Sequence, residues 1–237
     1  MNLTIHKDKQ ALAEAAARDF VARVAAAIEE RGRFTVALAG GSTPRTAYEL
    51  LARDHTDEVD WANVHIFYGD ERSVPPEHED SNYRMSKEAM LDHVQVASVH
   101  RMQGELTPEQ AAKSYEEELR EFFGDEDPPV MDLIMLGIGG DGHTASLFPN
   151  TPALEVTDRL ATENPVEKLN TVRITLTAPT INAARAVTFL VAGEDKSEAL
   201  QQILEGDGSA NTYPAKLVQP AGGPNWMIDK EASLRLS

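Results

Sequence analysis

Apolar positions along the chain follow two different spacings in turn, and the switching predicts helices and strands in alternation. Residues ~8–31 place Leu12, Ala16, Phe20, Val24 and Ile28 on one helical stripe, with Gly32 as a C-terminal stop. Phe34–Ala39 is a short continuous apolar run, as expected of a buried strand, and Pro44–Ala52 returns to helix. Val64–Tyr68 is the next strand, residues ~72–82 form a polar, proline-bearing loop, and Asn82–Leu91 reads as helical. Thr107-Pro108-Glu109-Gln110 opens a further helix with a cap, proline at its first position and glutamine at its third. That helix runs to about Phe123, before an acidic Asp125–Pro129 loop. Asp132–Leu136, Arg173–Thr177 and Val187–Ala192 are strands, the last two joined by a short segment around Thr180–Arg185. Glu194–Leu204 is a helix and Trp226–Ile228 a short final strand. This alternation implies an α/β layer architecture with a mainly parallel sheet. No repeat or long linker divides the chain, so residues 1–237 read as one domain.

Three polar motifs follow directly on predicted strands: Gly40-Gly41-Ser42-Thr43-Pro44, Gly69-Asp70-Glu71-Arg72, and Gly137-Ile138-Gly139-Gly140-Asp141-Gly142-His143-Thr144-Ala145. In an open parallel sheet the residues just past the strand carboxyl ends share one crevice, where ligands bind. The first motif joins a strand to a helix. Its glycines allow a tight turn and close ligand approach, Ser42 or Thr43 can cap, and Pro44 suits the first helical position. The free N–H groups and the positive end of the helix dipole then form an anion site. A plain capped turn is the competing explanation. The Gly-Lys-Ser/Thr ending of a Walker loop is missing.

Gly137-x-Gly139-x-x-Gly142 matches the dinucleotide fingerprint formally, but Pro149 and Pro152 cut off the long helix it should open. Glu163 has the spacing of the ribose-binding acid, yet it lies between Thr162 and Asn164-Pro165 and not at the end of an apolar run. A nicotinamide or flavin cofactor is therefore not expected. The motif instead presents His143 as a candidate base, with Asp141 able to orient the ring or hold the loop. His6, His55, His78 and His93 lack such a setting and read as structural or exposed. Arg72 offers a planar fork for phosphate or a developing oxyanion, although a charge run like Asp70-Glu71-Arg72 is often just solvated. Lys196 falls early in a helix, where the dipole disfavours a cation; an anionic ligand would explain it, and a solvated lysine is the alternative.

Composition narrows the classes. The 237 residues carry 22 basic and 39 acidic side chains, a net charge of −17, which argues against nucleic acid. It does not argue against a phosphorylated small molecule, because exposed charges are screened beyond ~8 Å at ~0.15 M salt. There is no cysteine, which excludes disulfides and thiolate chemistry. No apolar run approaches the ~20 residues of a membrane span. Glu14, Arg18, Asp19 and Arg23 interrupt any signal-peptide core, and the expected location is cytoplasmic.

Taken together, the motifs resemble the glucosamine-6-phosphate isomerase/6-phosphogluconolactonase family. The resemblance runs through Ala39–Pro44, Gly69–Pro75, Ser81-Asn82-Tyr83, Leu136–Pro149, Thr175–Pro179, Val191–Ser197 and Tyr213-Pro214-Ala215, and so covers nearly the whole chain. It implies a doubly wound, Rossmann-like α/β fold with a mainly parallel sheet flanked by helices. It also implies a phosphosugar lactone as substrate and no required metal or organic cofactor. The family's catalytic histidine maps onto His143 and its motif arginine onto Arg72, with Asp141 beside them. Substrate would be held by Gly40, Gly41, Ser42, Thr43, Asp70 and Lys196, with Arg45 as a further candidate. Related isomerases and deaminases carry a glutamate where this chain has Phe148, which weighs against their chemistry. A non-catalytic sugar-phosphate sensor would be expected to carry a DNA-binding module, and no basic helix-turn-helix stretch is present. The expected partner is a small phosphosugar lactone, with no nucleic acid and no membrane, and the expected state a monomer or weak homodimer.

Overall fold

The computed structural model describes residues 2–124 and 126–237; Asp125, at the head of the expected acidic loop, lies outside them. The elements are β1 (Asn2–His6), α1 (Lys9–Arg31), β2 (Phe34–Leu38), α2 (Ser42–Asp54), β3 (Val64–Tyr68), β4 (Asp70–Arg72), α3 (Asn82–Ser86) and β5 (Ser98–Val99). They continue with α4 (Pro108–Phe123), β6 (Leu133–Leu136), β7 (Ala161–Val166), β8 (Thr171–Leu176), α5 (Ala178–Asn182), β9 (Val187–Val191), α6 (Ser197–Leu204) and β10 (Asn225–Asp229). Seven strands form one sheet in the order β1-β10-β9-β6-β2-β3-β5, and every pairing in it is parallel. From β2 the chain moves outward to β3 and β5, then returns to β6 on the other side. The reversal opens a crevice at the carboxyl ends of β2 and β6, which is where α/β sheets bind ligands.

Period-two alternation places the core on both faces. In β2, Phe34, Val36 and Leu38 pack with Leu12 and Phe20 of α1, Leu51 of α2 and Met90. Ala37 faces the opposite layer, with Phe67, Tyr115 and Leu119 of α4, Leu200 of α6 and Trp226. Two buried tyrosines finish the strands that lead to the crevice. The Tyr48 hydroxyl donates to the Ala39 carbonyl (3.1 Å) and accepts from its N–H (3.0 Å). Tyr115 does the same for Tyr68, at 3.1 and 2.9 Å. Each phenol satisfies two backbone groups that would otherwise be orphaned where a strand ends.

The expected mainly parallel, doubly wound sheet is present, and several details differ from the expectation. A second sheet, β4-β8-β7, is antiparallel. Its β4 occupies the start of the expected 72–82 loop, and β7 was not foreseen because Pro165 lies within it; an edge strand tolerates a proline that a central one would not. β1 was also missed. It is a largely exposed outer strand whose polar residues hide the pattern. The helix expected over Asn82–Leu91 changes from α geometry to a wider turn at Lys87, and the one expected over Glu194–Leu204 begins as a 3-10 turn. Among the described residues no helix is long and apolar enough to cross a membrane.

Candidate active site

The crevice is a cleft of about 390 Å³ lined by residues of all three sequence motifs. A smaller cleft of about 280 Å³ adjoins it, sharing Gly40, Gly41, Gly137, Ile138 and Lys196 and adding Ser42, Thr43 and Asp195.

The first motif builds the shared wall. Gly41 stands at the helix cap with φ of 100°, a conformation that favours glycine, and no side chain caps α2. Ser42 and Thr43 are therefore in the first turn and not capping, and Pro44 sits third. Thus the amide end of a 13-residue helix opens beside the cleft without an internal acceptor. The Ser42 hydroxyl accepts from Lys9 at 2.9 Å. Arg45 points elsewhere: it pairs with Glu49 at 2.9 Å, is about half exposed, and lines neither cleft. Lys196 is at the N-terminal boundary of α6 and lines both, with Asp195 at 2.8 Å.

The glycine-rich loop after β6 folds on itself, Gly139 N–H donating to the His143 carbonyl (2.9 Å) and Gly142 N–H to that of Gly139 (3.0 Å). A Cβ at Gly139 would overlap the His143 ring, so only glycine lets the imidazole lie this close to the backbone. His143 Nδ1 is 2.5 Å from Asp141 Oδ1, which fixes the ring and leaves Nε2 as its proton acceptor. The ring stacks on Phe148 at 4.1 Å between centroids. Desolvation pulls the imidazole down to about 4; Lys196, Arg173 and Arg72 push the same way, while Asp70 opposes them. His143 is 29% exposed at its side chain and hydrogen-bonded to a carboxylate, which also favours the charged form. Burial and the three cations favour the neutral base, and the two carboxylates oppose them.

The second motif divides its labour. Glu71 is buried and structural: its carboxylate accepts from the N–H groups of Arg72 (2.8 Å), Asn82 (2.7 Å) and Tyr83 (2.8 Å) and from the Ser81 hydroxyl (3.0 Å). Burial raises its pKa and those backbone donors pull it back. Asp70 accepts from Ser146 (2.6 Å) and from the Asn82 amide (3.1 Å), tying β4 to the histidine loop. Arg72 lines the cleft, and its cross-strand partner in register on β8 is Arg173. Like charges opposed in this way are destabilising. Both Nε atoms are buried without an acceptor, and burial followed by the Arg72 charge lowers the Arg173 pKa. Part of Arg72 is used, since it donates to the Asp80 carbonyl.

The structure thus brings together Gly40, Gly41, Asp70, Arg72, His143 and Lys196, with Ser42 and Thr43 in the adjoining cleft and Asp141 behind the histidine. Arg45 is left out. Sequence reading missed Arg173 and Lys168, both cleft-lining. A charge at the head of a predicted strand was the available signal for Arg173. Lys168 had none, because it sits at the tip of a hairpin whose first strand went unrecognised.

Comparison with known proteins shows the family. Residues 7–226 match the family model described as glucosamine-6-phosphate isomerases/6-phosphogluconolactonase. A Synechocystis protein named 6-phosphogluconolactonase is 47% identical over 97% of this chain and 95% of its own length. A Nostoc protein of the same name is 43% identical over 89% of this chain and 88% of its own. The solved 6-phosphogluconolactonase from Trypanosoma brucei superposes with a TM-score of 0.87 at 30% identity, covering 100% of this chain and 98% of that one. The chain belongs to the glucosamine-6-phosphate isomerase/6-phosphogluconolactonase family.

Proposed function

We propose that this chain is a cytoplasmic, single-domain lactonase that hydrolyses 6-phospho-D-glucono-1,5-lactone to 6-phosphogluconate, the lactone-opening step of the oxidative pentose phosphate pathway. The observation that carries the reading is a carboxylate-held histidine facing a cleft lined by Arg72 and Arg173, whose buried Nε atoms meet no acceptor among the described residues. The names of the relatives at 43–47% identity support the same activity.

The substrate phosphate is a dianion held by the open end of α2 at Gly40–Thr43 and by Lys196, with the Arg72–Arg173 pair supplying further positive charge. His143 Nε2 takes a proton from a water that attacks C1. Negative charge growing on the carbonyl oxygen meets Arg72 and backbone N–H groups of the glycine loop. The imidazolium then returns its proton to the departing ring oxygen. Deprotonation at Nε2 requires the Nδ1–H tautomer, which is the one a hydrogen bond to Asp141 selects. Phe148 packs flat on the histidine where ring-opening and deaminating relatives need a carboxylate, and an apolar ring cannot carry protons.

The test is hydrolysis of freshly generated 6-phosphoglucono-δ-lactone, with unphosphorylated gluconolactone and glucosamine 6-phosphate beside it. Rapid opening of the phosphorylated lactone alone is expected. Ammonia released from glucosamine 6-phosphate, without lactone hydrolysis, would overturn the reading. The expected state, a monomer or weak homodimer, is checked by sedimentation at assay concentration.

A further inference from the structure

The tip of the β7–β8 hairpin overhangs the cleft, with Lys168 and Leu169 on its lining. The Lys168 ammonium contacts Asp141 Oδ2, the carboxylate oxygen that His143 does not use. The same ammonium lies 4.8 Å from the centroid of the Phe148 ring, on which His143 stacks. Three residues from two segments, the hairpin tip and the glycine-rich loop, therefore form one line, Lys168–Asp141–His143, around a single aromatic ring. We propose that Lys168 is a positioning residue: it holds Asp141 so that one oxygen faces His143 Nδ1, and it offsets the carboxylate's charge so that the imidazole stays a neutral base.

The electrostatic logic can be stated with every charged group that faces the ring. Asp70 and Asp141 favour the imidazolium; Lys196, Arg173 and Arg72 disfavour it. An isolated Asp141 one hydrogen bond away would be the strongest influence of these and would draw a proton onto the histidine. With Lys168 on its other oxygen, the pair is close to neutral as seen from the ring, and the bond to Nδ1 sets the tautomer without making the base too reluctant to release its charge. Partial desolvation lowers the Lys168 pKa. Its side chain is half exposed, so screening limits the size of the effect.

This inference concerns the site of the proposed lactonase, but its main readout is independent of turnover. His143 ring titration is followed by NMR in the wild-type protein, Lys168→Met, Lys168→Arg, Asp141→Asn and the Asp141→Asn/Lys168→Met double variant, with kcat/KM against pH measured beside it. Lys168→Met is expected to raise the His143 pKa by about half a unit, the scale of an exposed ion pair, and to move the acid limb of kcat/KM with it. Lys168→Arg is expected to restore both. In the Asp141→Asn background, loss of Lys168 is expected to shift the titration by a different amount, because only the direct field of the ammonium is left once the carboxylate charge it holds is gone. A folded Lys168→Met protein with an unmoved titration would overturn the proposal, as would an equal shift in the Asp141→Asn background. If the titrations behave as expected while the wild type opens no lactone, the Lys168 wiring stands and the lactonase reading falls.

Discussion

The two ends of the central sheet both concentrate arginines, and they treat them in opposite ways. At the amino end of β6, buried Asp132 accepts from the Thr35 N–H (2.9 Å) and hydroxyl (3.0 Å), from Arg31 (3.0 Å), and lies 3.4 Å from Arg185. Every oxygen is matched, and the cluster staples α1, β2 and β6 together. At the carboxyl end, Arg72 and Arg173 oppose each other in register, with buried Nε atoms that no acceptor meets among the described residues. Desolvated, unmatched charge costs stability, and it persists where a ligand supplies the missing partner. The first cluster is a fastening and the second is a binding surface. Net charge across the chain would have hidden the difference.

Substitutions should separate the two ends cleanly. The largest effect expected is on chemistry: His143→Ala should cut kcat at least ~10²-fold, with its melting temperature nearly unchanged. Near-normal turnover in that folded variant would remove His143 from the mechanism. Asp132→Ala should do the reverse, costing about 2 kcal/mol in chemical denaturation while lactone turnover per folded molecule holds, since it orphans the Thr35 N–H and leaves two arginines facing each other. Arg173→Met should raise KM for the phosphorylated lactone roughly tenfold, the worth of a charge-assisted contact, yet leave stability equal or better because a like-charge pair is gone. If Arg173→Met instead melted the protein, the arginine pair would be a fastening too and the contrast would fail.

The smallest effect expected is in the pH profile. The base form of His143 exists above its folded-state pKa, so kcat/KM should stay level below pH 6.5 and fall only toward about 4. The same group makes a stability statement. The unfolded imidazole takes a proton near 6.5 and the folded one resists until about 4, so stability falls as pH drops through that window. An acid limb at or above 6.5 would mean that Asp141 outweighs burial.

Strands β2, β3 and β6 and the three site motifs were legible in the sequence because each couples a buried apolar run to a glycine turn, so chemistry and topology share the same letters. Arg45 misled because it follows the right turn, but in a helix its position turns it outward to Glu49 at i+4. Glu71 looked like one charge among three and proved to be a buried cap for the next helix, a role set by the Ser81 hydroxyl and the backbone N–H groups of Asn82 and Tyr83 that no local pattern shows. Arg173 and Lys168 reach the cleft through the small antiparallel sheet. Its register sets residues 70–72 against 173–175, a pairing that sequence proximity could not reveal.

The pairing of β1 with β10 has a consequence for how the molecule comes into being. Asn2 lies against Asn225 and His6 against Asp229, so β1 has no partner in the sheet until the chain through residue 229 exists. Closing that register is an entropically late event, and a nascent chain must keep an apolar-containing edge from pairing with a neighbour on the way. A chain ending before residue 225 would carry every residue of the cleft yet expose β1 and the flank of β9, and aggregation on synthesis, not loss of chemistry, is the failure it would show.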